Sequence, residues 1–293
     1  MSSPHHAPQP AHAIAEGDPY VLDPSKIREP PQGWAPSMRF LGPGMITSAA
    51  VVGSGELITA TTLGARVGFI LLWLVFVSTF VKVAVQIELA RWSISTGQPG
   101  IPGYDHVPPK IRGRGWISYL AILMFLQFVT SQAGVFGAAG LALAILMPID
   151  GDPTSAASVG FWVLVMVAIA IAIHFSNRYG IVERVSTVLV VLVTFAVVVM
   201  VFGIQVTPFA WTAGDLASGM TFQLAAGTMG VALGMFGLTG VGAGEITSYS
   251  FWCVEKGYAA WTGPRDDSEA WAERARGWIR VMKIDAWVSC AIY

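Results

Sequence analysis

Charged residues are scarce in this chain of 293 residues: Asp, Glu, Lys and Arg make up only 12% of it. A soluble domain usually contains about 25% of these residues. Hydrophobic residues account for 54% of the chain and the mean hydropathy is +0.60, which excludes a disordered, collagen-like or ordinary cytosolic protein. The net charge is −1, so no overall positive field would attract nucleic acid. The composition is that of a polytopic protein whose main partner is the lipid bilayer.

Cysteine is also nearly absent. Cys253 and Cys290 lie in apolar surroundings and form no CxxC pair, which excludes a disulfide framework and a thiolate zinc site. The apolar segments contain no HExxH motif, no Ser–His pair and no nucleotide-binding loop. We therefore expect no enzyme activity and no cofactor.

Long runs without any charged residue indicate membrane-spanning helices. Four such runs cover residues 40–55, 115–149, 185–214 and 216–244, and a span needs about 20 apolar residues. Because the runs lack the alternation of a lipid-facing barrel strand, an all-α fold is predicted. Helices are expected near 40–65, 67–92, 116–147, 159–176, 184–206 and 218–257, with a seventh beginning near 283.

The basic residues predict the orientation of these spans. With the amino terminus in the cytoplasm, Lys and Arg alternate between cytoplasmic and opposite-side segments as the positive-inside rule requires. The opposite-side loops hold Arg66 as their single basic residue, together with Asp150, Asp152 and Asp215. This predicts a multi-pass protein of the cell (inner) membrane, with a six-helix transmembrane domain over residues 40–258. The cytoplasmic segments hold Lys26, Arg28, Arg39, Arg91, Lys110, Arg112, Arg114, Arg178, Arg184, Lys256, Arg265, Arg274, Arg276 and Arg280.

The two ends of the chain differ from this pattern. Residues 1–39 are rich in Pro, His, Ala and Ser and are expected to be a disordered cytoplasmic tail. Residues 259–282 are expected to form a cytoplasmic loop with an interfacial helix, since apolar residues recur at helical spacing among charges. Residues 283–293 resemble the start of a truncated seventh helix, so we expect an amino-terminal fragment, the alternative being that a partner completes the span.

Two similar short sequences occur inside the predicted first and sixth helices. Gly53-Ser54-Gly55-Glu56 and Gly242-Ala243-Gly244-Glu245 both read Gly-x-Gly-Glu. Each glycine destabilises a helix by about 1 kcal/mol relative to alanine. A transmembrane helix breaks only where its backbone lines a polar cavity or is buried in protein. Both helices are therefore predicted to be discontinuous.

The glutamates of these motifs are the candidate site. A carboxylate at the centre of a span costs about 2.5–3.5 kcal/mol, so two at matching positions need a reason. The first and sixth helices cross the bilayer in opposite senses, which is typical of an inverted-repeat transporter with a midplane site. Carbonyls near Gly53 and Gly242, with Glu56 and Glu245, would form an all-oxygen site suited to Mg²⁺, Ca²⁺ or Mn²⁺. The structural alternative is that the glutamates snorkel or stay protonated, while the glycines allow close helix packing.

Lys82 lies near the middle of the second predicted helix, too deep to reach either interface easily. It could be a counter-ion of Glu56 or Glu245, in which case it would compete with a bound cation. It could equally pair with Glu88 and be structural. The sequence alone does not distinguish these two roles of Lys82.

Several motifs outside the two breaks resemble those of Nramp divalent metal transporters. The resemblance implies a LeuT-type fold of eleven or twelve helices. This chain would hold the first inverted repeat of five helices, the sixth helix and the start of the seventh, and the missing carboxy-terminal helices would complete the transporter. The motifs are Gly42-Pro43-Gly44, Gly64-Ala65 with Gly68 and Leu71-Leu72-Trp73, Gln86 with Ala90-Arg91 and Thr96-Gly97, and Asn177-Arg178-Tyr179-Gly180.

The departures from the family fall on its functional positions. The family's Asp-Pro-Gly-Asn is Gly53–Glu56 here, so its metal-binding aspartate is absent. Its Met-Pro-His-Asn is Gly242–Glu245, so the thioether and the histidine are absent. The resemblance places a carbonyl donor at Thr239. The acidic pair linked to proton movement corresponds to Ser131 and Gly134.

These observations predict a secondary transporter of a divalent metal cation, a hard one such as Mg²⁺ or Mn²⁺. The alternative is a LeuT-type transporter of an amino acid or organic cation, and a membrane-embedded enzyme is a third class without a supporting motif. The expected metal ligands are Gly53, Glu56, Thr239, Gly242 and Glu245, with Lys82 as a possible counter-ion.

Overall fold

The computed structural model describes residues 17–52, 54–175, 178–224 and 227–293, with the backbone alone described at 54–59 and 238. The described regular secondary structure is helical apart from one antiparallel hairpin with two residues in each strand, Lys110–Ile111 with Arg114–Gly115. The α-helices are α1 Trp34–Ser37, α2 Pro43–Val51, α3 Ser54–Val67, α4 Leu72–Thr96, α5 Gly100–Tyr104, α6 Trp116–Leu146, α7 Ala156–Phe175, α8 Tyr179–Gly203, α9 Ala213–Ser218, α10 Met229–Leu238, α11 Ala243–Lys256, α12 Tyr258–Thr262 and α13 Glu269–Ile292.

Four described helices are long and apolar enough to cross a membrane: α4, α6, α7, and α8 with the turn that extends it to Val206. They match the second to fifth predicted helices. At about 1.5 Å per residue, the 31 residues of α6 span about 46 Å, which is longer than the hydrocarbon core requires. Large apolar side chains on these helices face outwards, among them Leu164 (70% exposed) and Phe195 (68% exposed). Surface of this kind fits contact with lipid or with further helices, as in an integral membrane protein.

The first and sixth predicted helices are each divided in two, which confirms their discontinuity. The first consists of α2 and α3, and the sixth consists of α10 and α11. The halves contain between nine and 14 residues, so no half is long enough to span a bilayer by itself. In the sixth, Thr239 adopts an extended conformation and Gly240 has a φ of +71°, which together turn the chain out of the helix.

The predicted start of the sixth helix at residue 218 is wrong, because helix α10 begins at Met229. The preceding segment instead lies against the first turn of α4. The backbone N–H of Trp73 donates to the carbonyl of Gly219 at 2.8 Å, and its indole N–H donates to the carbonyl of Gln223 at 3.1 Å. These tertiary hydrogen bonds satisfy backbone groups that a helix would otherwise have satisfied.

The core lies between α2, α4, α11 and α13. Phe40, Trp261 and Trp278 form an aromatic cluster, with ring centroids 4.7 Å apart for the two tryptophans and 5.3 Å apart for Phe40 and Trp278. Tyr249 and Met282 are fully buried in the same core. Large aromatic side chains lie where the helices meet, and they account for much of the apolar surface that this core buries.

Helix α13 supplies an acceptor for the start of the first helix. The Asp285 carboxylate accepts hydrogen bonds from the backbone N–H of Gly42 (2.9 Å) and of Gly44 (2.5 Å), and from the Tyr249 hydroxyl (2.9 Å). Its side chain is buried, with 1% of the residue exposed. The first N–H groups of a helix have no intrahelical partner, so this carboxylate acts as a distant cap for α2.

A buried ion pair lies beside this cap. Lys256 Nζ contacts Glu183 Oε1 at 2.8 Å and donates to the carbonyl of Leu41 at 3.2 Å. A Cβ on Gly42 would lie 2.8 Å from the Glu183 carboxylate and 2.9 Å from the Lys256 ammonium. Glycine at this position therefore allows the backbone to approach both charges, which joins α8 and α11 to the start of the first helix.

Helix α13 runs without interruption through residue 283, where the sequence suggested a boundary between an interfacial helix and a seventh span. Its apolar residues Trp271, Trp278 and Met282 are buried against protein rather than presented to a membrane surface. The partly buried Ile279 packs against the same core. The amphipathic pattern was thus correct for a helix, but the interpretation of its apolar face was wrong.

Residues 17–39 are ordered against the body of the protein, so the expectation of a disordered tail is wrong for this part; residues 1–16 lie outside the described chain. Three apolar side chains of this segment each contact a glycine: Leu22 at Gly97, Ile27 at Gly263 and Pro30 at Gly277. The Arg28 N–H donates to the Trp261 carbonyl and the Trp278 indole donates to the Arg28 carbonyl, both at 3.0 Å. Composition could not reveal these contacts, because the glycines lie far away in sequence. We call residues 17–39 the amino-terminal strap.

Removal of the Asp285 carboxylate should destabilise the fold. We expect Asp285→Ala to lower the free energy of unfolding by about 2–3 kcal/mol, since buried N–H and O–H donors lose their acceptor. The measurement is thermal unfolding of the purified protein in detergent. Lys283→Ala changes an exposed residue of the same helix and should leave the melting temperature unchanged. Equal melting temperatures for the two variants would contradict the capping role.

Gly277→Ala tests the strap. Helix propensity alone predicts a gain of about 1 kcal/mol, but a Cβ at Gly277 would lie 2.2 Å from Pro30 Cγ. We expect the variant to release the strap, so that trypsin cleaves faster after Lys26 and Arg28. Gly137→Ala is the control, since a Cβ there has no neighbour within 4 Å. Equal cleavage rates in both variants would show that the strap does not depend on this contact.

Candidate metal site

The candidate site is centred on the interruption of the sixth helix, between the last turn of α10 and the first turn of α11. Thr239, which follows the last residue of α10, is 7% exposed, whereas Gly237 in the last turn is exposed. Carbonyls at a helix carboxyl end lack intrahelical donors and carry partial negative charge. They are natural ligands for a positively charged group.

Lys82 reaches this helix end from α4. Its ammonium donates to the carbonyl oxygen of Thr239 at 2.7 Å and to that of Gly237 at 2.9 Å. It also lies 5.8 Å from the centroid of the Phe236 ring. The structure places Lys82 against these two carbonyls, while the carboxylate of Glu88 pairs with Arg91 on the exposed side of α4. That Lys82 is a counter-ion of Glu56 or Glu245 stays a prediction.

Ser78 joins Lys82 in this contact. Its hydroxyl donates to the carbonyl of Phe236 at 2.8 Å and also approaches the carbonyl of Thr239 at 3.4 Å. One further turn along the same face lies Gln86, which is fully buried and has no hydrogen-bond partner for either side-chain polar atom among the described residues. Sequence reasoning missed Ser78, although the i, i+4, i+8 spacing of Ser78, Lys82 and Gln86 on one apolar helix was a visible signal.

Glu245 occupies the first turn of α11 and folds back over the start of that helix. A Cβ built on Gly242, the N-cap residue, would lie 2.6 Å from Glu245 Oε2. This position is favourable for a carboxylate, because the amide groups of a helix start carry partial positive charge. Phe128 of α6 closes the other side, since a Cβ on Gly244 would lie 3.1 Å from its ring. Glycine at both motif positions therefore makes room for the carboxylate and for the aromatic ring.

The predicted ligands are only partly located by the structure. Thr239 and Gly242 lie at the two ends of the interruption of the sixth helix, and Glu245 lies in the first turn after it. Gly53 lies outside the described residues, and Glu56 is described by its backbone alone, in the first turn of α3. That the two glutamates face each other therefore stays a prediction. Within the described chain, no three His, Cys, Asp or Glu side chains gather into a metal centre.

Comparison with known families identifies the chain. The model of the family described as natural resistance-associated macrophage protein-like, Nramp, matches residues 44–292. The chain belongs to the Nramp family. The match includes both interrupted helices and α13, so the departures at Gly53–Glu56 and Gly242–Glu245 occur within an Nramp chain.

Relatives of known sequence agree with this assignment. The divalent metal cation transporter MntH of Granulibacter bethesdensis is 27% identical over 241 residues, which cover 81% of this chain and 50% of that protein. The metal transporter Nramp2 of Populus trichocarpa is 27% identical over 191 residues, covering 64% of this chain and 31% of that protein. This Nramp chain thus spans about half the length of the first relative and less of the second.

A solved structure shares the fold. The manganese transporter of Eremococcus coleocola, crystallised with an aromatic bis-isothiourea substituted compound, superposes with a TM-score of 0.58 at 17% identity. The match covers 93% of this chain and 54% of that chain. The Nramp chain therefore has the LeuT-type fold expected from the resemblance.

Proposed function

We propose that the protein moves a divalent metal cation across the membrane by secondary transport, through a site between the interrupted first and sixth helices. The observation that carries this proposal is the pair of carbonyl oxygens of Gly237 and Thr239, which already contact a cationic group at the helix interruption after which α11 begins with Glu245 in its first turn. Membership of the Nramp family and the names of its relatives, divalent metal cation transporter and manganese transporter, support the cargo class.

The donor chemistry favours a hard cation. Backbone carbonyls and carboxylates suit Mg²⁺ or Mn²⁺, whereas thioether sulfur selects softer ions. The position at which the family carries methionine is Gly242 in this chain, so the site offers oxygen alone at that point. We propose Mg²⁺ or Mn²⁺ as cargo, with Glu56 and Glu245 supplying the negative charge. Carbonyls at the helix end would replace part of the hydration shell that the cation loses on entry.

Replacement of the glutamates tests this site. If a cation bridges the two carboxylates, Glu56→Gln and Glu245→Gln should each weaken cation binding strongly, by about 10–100-fold, and the double change should add little. Isothermal titration with Mg²⁺, Mn²⁺ and Cd²⁺ measures the affinities. Glu88→Gln is the control, because that carboxylate pairs with Arg91 on an exposed surface. Unchanged affinity in both site variants, or a marked preference for Cd²⁺, would contradict a hard-cation site.

A second cargo class is supported by one observation. The carbonyls of Gly237 and Thr239 accept hydrogen bonds from a primary ammonium, that of Lys82, so the geometry suits an organic ammonium group as well. Titration with methylammonium and with amino acids, in the same buffer as the divalent cations, separates the two classes. Binding of these compounds without binding of Mg²⁺ or Mn²⁺ would assign the protein to organic-cation or amino-acid transport.

We also propose that the amino terminus and the hairpin at residues 110–115 face the cytoplasm of a cell whose inner membrane holds the protein. The alternation of basic residues supports this orientation. In a variant with Cys253 and Cys290 replaced by alanine, Asp152→Cys should react with an impermeant maleimide in intact cells. Lys110→Cys should react only after permeabilisation. Both replaced residues are exposed, so accessibility to the reagent depends on the side of the membrane. The reverse pattern would overturn the orientation.

A further inference from the structure

We propose that Lys82 is a resident cation of the transport site: its ammonium holds the carbonyls of Gly237 and Thr239 when the site is empty, and the cargo displaces it. This inference rests on the proposed function and specifies how the site behaves without cargo. It assigns to Lys82 a role in setting affinity, in place of a fixed structural contact.

Lys82 Nζ lies 2.7 Å from the Thr239 oxygen and 2.9 Å from the Gly237 oxygen. A divalent cation would approach the same oxygens at about 2.0–2.6 Å. Two positive groups on one pair of carbonyls would lie within a few ångströms of each other and repel strongly. The ammonium and a cargo ion on these oxygens are therefore alternatives.

The Lys82 side chain is long and flexible enough to move its charge away from these carbonyls. Lysine carries its charge on a flexible four-carbon stem, and Lys82 is only partly buried. Lys256 is the contrast within the same chain, because it is fully buried. The Gly237 side of the Lys82 contact is exposed, so the Lys82 ammonium can move towards solvent, whereas that of Lys256 is enclosed by protein.

A carrier must also be stable without its cargo. The residue whose carbonyl follows the end of α10, Thr239, is 7% exposed, and an unsatisfied buried carbonyl is costly. The tethered ammonium donates to this carbonyl, and the Ser78 hydroxyl also approaches it. Cargo binding then exchanges one positive group for another, so the affinity measured for a cation includes the displacement of Lys82.

Replacement of Lys82 gives opposite results for a resident cation and for a structural contact. Lys82→Met removes the charge and keeps a long side chain, so we expect Mn²⁺ and Mg²⁺ to bind roughly tenfold more tightly to the purified full-length protein. Lys82→Arg keeps a cation at the site and should bind no more tightly than wild type. Equal or weaker binding by Lys82→Met, with the fold intact, would overturn the proposal.

A measurement on the wild-type protein does not depend on the folding of any variant. An amine-reactive reagent, with mass spectrometry of the peptides, should modify Lys82 faster at saturating Mn²⁺ than without metal, because the displaced ammonium leaves its acceptors. Lys256 should stay unreactive and the exposed Lys110 reactive in both conditions. Unchanged or slower modification of Lys82 with metal would show that the cation does not displace it.

The outcomes separate this inference from the proposed function. If wild type and Lys82→Met both fail to bind any divalent cation, the metal-transport proposal fails and takes the inference with it. If wild type binds Mn²⁺ but neither the variant nor the labelling responds, only the role of Lys82 is overturned. Binding that appears in Lys82→Met but is absent from wild type would support both.

Discussion

Helices that begin or end inside the packed protein leave backbone groups without intrahelical partners, and the arrangement of polar side chains follows from this constraint. Asp285 accepts from the amides at the start of α2, and Glu245 folds over the start of α11. Lys82 and Ser78 donate to the last carbonyls of α10. In each case the sign of the charge matches the dipole of the helix end that it contacts.

The same constraint explains where the few buried charges of this chain lie. Lys256 and Glu183 are paired at the start of the first helix, and the ammonium also reaches the carbonyl of Leu41. Removing one partner would leave an uncompensated charge in the core, which is more damaging than losing the pair. The buried charges therefore fix how helices from distant parts of the sequence meet. The carbonyl of Thr239 differs, because the cation that it contacts is the ammonium of Lys82, a flexible and only partly buried side chain.

The sequence was sufficient for the elements whose signal is local. Long apolar segments located α4, α6, α7 and α8 to within about five residues, and paired glycines located both helix interruptions. Long-range contacts had no such signal. The predicted start of α10 was too early because the carbonyls of Gly219 and Gln223 hydrogen-bond to Trp73 at the start of α4. The amino-terminal strap was missed because the glycines that it contacts lie far from it in sequence, up to Gly277. At the site, a lysine in the middle of an apolar helix marked Lys82 as unusual. Only the fold shows that its ammonium contacts the carbonyl of Thr239 and that Glu88 pairs with Arg91 instead.

The contact between Asp285 and the start of α2 also orders events during synthesis. Gly42 and Gly44 leave the ribosome more than 240 residues before their acceptor does. Pro30 precedes Gly277, against which it packs, by a similar number of residues, so neither contact can form until α13 has been made. Contacts of such long sequence separation close late, after the intervening spans are in place. The amino-terminal part of this chain is thus the first to be translated and the last to reach its final packing.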